Sequence, residues 1–349
     1  MFTYGVVAGY YGPIWSVETF QDYASFCKDY GYSYFIYGPK KDSSLREGWA
    51  TPFTDQQIEN LTQIRNAFES QGVAFGLGLS PYGLNSLDDK SKKTLAAKIK
   101  QINDINPSIL GVFFDDIEKE SVSADLGVGQ VAVAEYSASV SNAKAFISVP
   151  TYYSHDQILQ RVLGPTPPRY FSDFAALDAQ FDVFWTGEHI ISAGFASDEI
   201  AAISQKLKRD VTIWDNYPVN DPSYLNDYLR LFGLTSRAKQ DIGSAKSIAF
   251  NPMLQPYASM IPLATARNLY SDKDYRPREA YLQAMLDLCG PEFAVTVDQN
   301  LNYLVLRGLQ LTEQSNINRM IEEFSRFKTG KAATFAADFL ALLQKYKGS

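Results

Sequence analysis

The chain has 349 residues, 46% of them hydrophobic and 20% charged, which argues against disorder and leaves room for one large domain with a smaller appendage. A net charge of −7 and a pI near 5.0 argue against general binding to nucleic acid or an anionic membrane, because both need a positive field. Two cysteines, Cys27 and Cys289, cannot make a disulfide framework, and two histidines, His155 and His189, are too few for a His-rich metal centre.

The first apolar run, Tyr4–Ala8, reads as a strand and follows the N-terminus with no charged segment or long apolar leader, so a cytoplasmic protein is expected, or a secreted one if a leader was removed ahead of this sequence. Similar runs recur at Tyr34–Tyr37, Ala74–Leu79, Gly111–Phe114, Ala145–Val149, Asp182–Trp185, Thr212–Trp214 and Ser247–Phe250. Segments of helical period lie between them. Gln57–Glu69 puts Ile58, Leu61, Ile64 and Phe68 on one face, and Ser192–Lys208 does so with Ile200, Ile203 and Leu207. Strands alternating with helices imply parallel pairing through crossovers, and eight such units imply a closed (β/α)8 TIM barrel over residues 1–273. No apolar run reaches the roughly 18 residues that span a bilayer.

From Asp274 the strand signals stop. Ile317, Met320, Ile321, Phe324 and Phe327 form one helical stripe, and Phe335, Phe339, Leu342, Leu343 and Tyr346 form another. Residues 274–349 therefore read as a short helical appendage. Its stripes would pack on the barrel or on a partner chain, and the oligomeric state stays open. Cys27 and Cys289 read as small buried hydrophobes, and the two histidines as structural or exposed.

In such barrels catalytic side chains gather at the C-terminal ends of the strands. Those ends are rich in polar groups here: Gly9-Tyr-Tyr-Gly12, Tyr37-Gly-Pro-Lys40, Asp115-Asp116, Pro150-Thr-Tyr-Tyr153, Trp185-Thr-Gly187, Trp214-Asp-Asn216 running on to Asn220-Asp221, and Asn251-Pro252. The Asp115-Asp116 pair has two open readings. Close carboxylates titrate apart, which suits one proton donor beside one anion in glycoside cleavage, whereas the plain alternative is a solvated acidic loop. A third reading is an oxygen-ligand metal site from Asp115, Asp116, Glu118 and Glu120, although the spacing matches no calcium loop. Trp214 with Asn216 and Asp221 can wall a pocket for an apolar methyl and hydrogen-bond to hydroxyls, or form a Pro-containing turn.

Taken in order, these motifs over residues 3–270 resemble glycoside hydrolase family 84, the O-GlcNAcase and bacterial hyaluronidase-type β-N-acetylglucosaminidases. Gly5-Val-Val-Ala-Gly-Tyr-Tyr-Gly-Pro-Ile-Trp15 is similar to the family's opening strand and turn, Tyr37-Gly-Pro-Lys40 to its Tyr-Ala-Pro-Lys, and Phe114-Asp-Asp-Ile117 to its catalytic pair. The resemblance implies a retaining, exo-acting enzyme that removes terminal β-linked GlcNAc from a glycoprotein, glycan or glycoside, with no metal or other cofactor. It assigns Asp115 to polarising the 2-acetamido group, Asp116 to acid and base roles, and Tyr153 to the acetamido oxygen. Trp214 and Asn216 would line the acetamido pocket, while Gly9, Lys40 and Asn251 would hold ring hydroxyls and Asp221 would take O4 and O6. Ala8, Tyr10 and Gly38 depart from the family's usual Glu, Phe and Ala. A non-catalytic GlcNAc-binding barrel and a metal-dependent barrel hydrolase are the competing expectations.

Overall fold

The computed structural model describes residues 2–272 and 274–348. Eight strands pair in chain order, all parallel: β1 (Thr3–Ala8), β2 (Tyr34–Tyr37), β3 (Ala74–Leu79), β4 (Ile109–Phe113), β5 (Ala145–Val149), β6 (Phe181–Trp185), β7 (Thr212–Asp215) and β8 (Ser247–Phe250). β8 returns to β1 and closes the (β/α)8 barrel. Each strand is covered on both faces, which is why its sequence is an apolar run rather than an alternation. β4, Ile-Leu-Gly-Val-Phe, is buried throughout. Inside the barrel the Phe113 ring fills the space of two missing side chains: a Cβ on Gly78 would lie 2.4 Å from that ring, and one on Gly111 2.5 Å.

The helices begin where local chemistry starts them. Ser16 caps Val17–Asp29, Thr54 and Gln57 form a capping box on Asp55–Ser70, and Asp88 and Ser91 form another on Asp89–Ile105. Leu61, Ile64 and Phe68 are buried as their period requires, and so are Ile200, Ile203 and Leu207. The latter helix starts at Ser197, five residues later than its pattern suggests. Ser192 explains the delay, because its hydroxyl sits 3.0 Å from the Thr186 carbonyl and 3.1 Å from that of His189, holding a turn instead of a helical start.

The chain divides into two compact units. The first holds Met1–Gly9, Pro13–Asn216 and Lys239–Asn251, and carries the whole barrel sheet. The second holds Tyr10–Gly12, Tyr217–Ala238 and Pro252–Ser349. Within it, helices Pro277–Cys289, Pro291–Leu301, Gln314–Phe324 and Gly330–Lys345 follow Pro256–Ser271. Its core is an aromatic cluster: the fully buried Phe293 ring lies 5.6, 5.1 and 5.4 Å from those of Phe324, Phe327 and Phe339. The Asp338 carboxylate accepts the amides of Tyr257 and Ala258, tying the last helix to the N-terminus of Pro256–Ser271, where the helix dipole favours an anion. Cys27 and Cys289 are both buried thiols. No helix among the described residues is long and apolar enough to cross a membrane.

Deleting the Phe293 ring leaves a hole inside this cluster, so Phe293→Ala is expected to lose about 3–5 kcal/mol in urea unfolding. A loss below about 1 kcal/mol would show that the aromatic cluster is not the core of the second unit.

Candidate active site

β4 delivers Asp115 and Asp116 two and three residues past its last paired position. The next amide, that of Phe114, still bonds the Val149 carbonyl of β5 at 2.9 Å. In a regular strand the two carboxylates would point to opposite faces. Asp116 breaks the alternation, adopting φ +53°, a left-handed conformation that costs a non-glycine residue about 1–3 kcal/mol. Aspartate is one of the few side chains that tolerate it.

Around this bend the sequence supplies a buried frame. The Thr151 hydroxyl donates to the Phe114 carbonyl at 2.6 Å and accepts from the Gln130 amide at 2.6 Å. The Tyr170 hydroxyl accepts from the Thr151 amide and donates to Gln130 Oε1, both at 2.7 Å. This network joins the tips of β4 and β5. Two residues past Thr151, the Tyr153 hydroxyl donates to Asp116 Oδ1 at 2.8 Å.

Asp115 is held differently. Its Oδ2 forms a buried ion pair with Lys40 Nζ. That ammonium also lies 5.6 Å from the Trp214 ring centroid and 5.8 Å from that of Phe113. Burial raises the Asp115 pKa, but the positive charges of Lys40 and Arg46, with the Lys40 hydrogen bond, outweigh it and hold the carboxyl below its usual range. Asp115 Oδ1 is buried and takes part in no hydrogen bond. A buried acceptor left in that state is rare and costly, and it is suited to a donor brought by a ligand.

The far wall is a chain of directed bonds across β7, β8 and β1. Trp214 Nε1 donates to Asn216 Oδ1 at 2.8 Å, Asn251 Nδ2 donates to the same oxygen at 2.9 Å, and the Gly9 amide donates to Asn251 Oδ1 at 3.1 Å. Asn216 Nδ2 continues to the Ile190 carbonyl at 2.7 Å. Gly9 is glycine because a Cβ there would sit 2.3 Å from the Trp214 ring. Eight of the nine residues expected from sequence, Gly9, Lys40, Asp115, Asp116, Tyr153, Trp214, Asn216 and Asn251, thus form one linked set in the barrel unit. Asp221 belongs to the second unit, where its Oδ2 accepts the Tyr11 amide at 2.6 Å.

Other expected groups sit elsewhere. His155 packs edge-on to Trp185 and lies 3.8 Å from Glu199, while the exposed His189 lies 3.6 Å from Asp156. Asp115, Asp116, Glu118 and Glu120 do not assemble into a cation-binding group among the described residues. Sequence reasoning missed Arg46, a buried guanidinium whose Nη2 donates to the Asp116 carbonyl at 2.9 Å.

The ion pair sets the sign of a pH effect. Because Asp115 titrates lower in the folded chain, the stability it adds is present above the ordinary carboxylate range and is lost as pH falls through the depressed value. Lys40→Met leaves that carboxylate buried and unpaired, with an expected loss of about 3–5 kcal/mol. In carbon-detected NMR Asp115 should then titrate at higher pH than in the unaltered protein; the same titration in both chains would contradict the pairing. Gly9→Ala should displace the Trp214 ring, and an unchanged indole fluorescence spectrum would speak against the close approach.

A family model described as NAGidase, beta-N-acetylglucosaminidase, matches residues 4–302. Protein O-GlcNAcase of Mus musculus is 25% identical over 277 residues, covering 77% of this chain and 30% of the mouse protein, and the Rattus norvegicus protein matches to the same extent. The matched stretch therefore spans less than a third of these relatives' length. A mutant of the Thermobaculum terrenum O-GlcNAc hydrolase superposes with a TM-score of 0.79 at 24% identity, covering 99% of this chain and 81% of that one, a likeness of fold. With barrel, strand-end motifs and family match in agreement, the chain belongs to the β-N-acetylglucosaminidases of glycoside hydrolase family 84.

Proposed function

We propose that the protein is a retaining exo-β-N-acetylglucosaminidase that removes terminal β-linked GlcNAc, with the sugar's own 2-acetamido group as nucleophile. One atom carries this reading. The buried Asp115 Oδ1 needs a hydrogen-bond donor, and the acetamido N–H of a bound GlcNAc is such a donor. Asp115, kept ionised by Lys40 and Arg46 against the effect of burial, then stabilises the positive charge that spreads onto the nitrogen as the carbonyl oxygen attacks C1. The bond from C1 to the aglycone oxygen breaks, that oxygen takes a proton from Asp116, and a protonated oxazoline (oxazolinium ion) forms with its N–H still bonded to the Asp115 carboxylate. Asp116 next removes a proton from water, whose oxygen adds to C1 and reopens the ring. Two inversions at C1 give net retention, an exception to the two-carboxylate scheme.

Tyr153, now bonded to Asp116, is assigned to the acetamido oxygen once substrate is present. Trp214, fixed by Asn216, is assigned to the acetamido methyl, and Asn251, Gly9 and Lys40 to the ring hydroxyls. The two curated relatives are named as acting on protein O-GlcNAc. GlcNAc on a glycoprotein is accordingly the first substrate to test, ahead of free glycans and simple glycosides.

The reading predicts 4-nitrophenol release from the N-acetyl-β-D-glucosaminide and none from the β-D-glucoside. Asp116→Ala should lose about 10²–10⁴-fold on aglycones that need protonation and far less on 2,4-dinitrophenol. Asp115→Ala should lose turnover on both. Equal cleavage of glucoside and glucosaminide would defeat the proposal, and GlcNAc binding by calorimetry without turnover would point instead to a binding module.

A further inference from the structure

Asp116 holds an unfavourable backbone, and something must keep it there. Its carbonyl accepts the 2.9 Å hydrogen bond from Arg46 Nη2, which comes from a segment seventy residues earlier in the chain. Arg46 is only 4% exposed and directly follows the one-turn 3-10 helix Ser43–Leu45. That turn is itself braced from three sides. The Asp42 carboxylate caps it through the Ser44 amide at 3.1 Å, and the Tyr37 hydroxyl at the end of β2 donates to Asp42 Oδ2 at 2.8 Å. From helix Asp89–Ile105, the Lys98 ammonium donates to the Ser44 carbonyl at 3.3 Å and the Thr51 carbonyl at 2.6 Å. The same ammonium sits 3.7 Å from the Phe53 ring centroid. A buried lysine spent on two backbone carbonyls has no contact with the catalytic pair; what it fixes is the segment that carries Arg46. The guanidinium itself is flanked by the Tyr82 ring at 5.1 Å and Glu47 Oε1 at 3.2 Å.

We infer that Arg46 is a positioning residue for Asp116: by gripping its carbonyl it holds the left-handed peptide so that the carboxylate stays beside Tyr153. Without that grip the peptide unit can rotate toward an ordinary conformation, and the carboxylate swings with it. Arg46 touches neither substrate nor leaving group in this account. Its effect passes through Asp116 and, as one of the two cations facing Asp115, through the charge of the neighbouring carboxylate. Arginine suits the task because its planar fork fixes a direction that a lysine ammonium does not. The inference rests on the proposed acid and base role of Asp116.

The test is a leaving-group comparison in Arg46→Gln. On 4-methylphenyl N-acetyl-β-glucosaminide, whose departure needs a proton, kcat should fall about 10²-fold, the size expected for a misplaced catalytic group. On the 2,4-dinitrophenyl glycoside the loss should be several times smaller, with KM nearly unchanged on both. Arg46→Lys should show the same pattern in weaker form, and guanidinium ion added to Arg46→Ala should restore part of the lost turnover. Lys98→Met, which loosens the turn without touching the site, should reproduce the leaving-group dependence to a lesser degree. Equal losses on both substrates, or no loss, would overturn the positioning role. If the unaltered protein hydrolyses neither glycoside, it is the proposed activity that fails. Should Arg46→Gln be recovered poorly folded, the lysine variant and guanidinium rescue still decide the matter.

Discussion

Two neighbouring residues at the end of a straight strand cannot point their side chains to the same side, because the pleat sends them to opposite faces. The chemistry proposed for this protein needs both Asp115 and Asp116 at one sugar. At Asp116 the chain leaves the pleat, with φ +53°. Much of the surrounding architecture braces that bend. Thr151 grips the carbonyl just before the pair, Arg46 grips the carbonyl within it, and Gln130 with Tyr170 anchors Thr151 in turn. A barrel provides the rigid neighbours this requires, since β3 and β5 flank β4 in register over most of its length.

The second organising feature is charge buried inside the protein. Lys40, Asp115 and Arg46 are each under a tenth exposed, so their mutual attraction is felt at low effective dielectric. Burial alone would raise the Asp115 pKa, and the two cations outweigh that effect. They do so asymmetrically: Lys40 occupies one carboxylate oxygen and the other remains open. A buried carboxylate with one committed and one uncommitted oxygen is pre-shaped for a single donor, which is more selective than an acidic patch in solvent. The polar chain from Trp214 through Asn216 and Asn251 to Gly9 plays the complementary part, fixing an aromatic wall with hydrogen bonds that leave little rotational freedom.

Much of this was legible in the chain itself. All eight strands stand out because strands covered on both faces are written as unbroken apolar runs, and the site residues stand out because each polar cluster follows such a run. The bounds moved by a residue or two; β4, for instance, begins at Ile109 rather than Gly111. What the sequence hid are relations through space. Arg46 reads as an ordinary loop charge until its carbonyl partner seventy residues away is seen, and no local pattern announces a positive φ at Asp116. The Gln130–Thr151–Tyr170 network combines three unremarkable residues from a helix, a strand end and a short helix. Likewise the second unit gathers Tyr10–Gly12 and Tyr217–Ala238 with the C-terminal helices, a grouping that only tertiary contacts define.

The central physical claim is that the acetamido oxygen attacks C1 while Asp115 steadies the nitrogen. Its most direct measurement is kcat/KM for one aryl glycoside series carrying N-acetyl, N-fluoroacetyl, N-difluoroacetyl and N-trifluoroacetyl groups. Each fluorine withdraws electron density from that oxygen and makes it a poorer nucleophile, so the rate should fall step by step along the series. A series in which all four substrates react equally fast would mean that the sugar's arm takes no part in bond breaking.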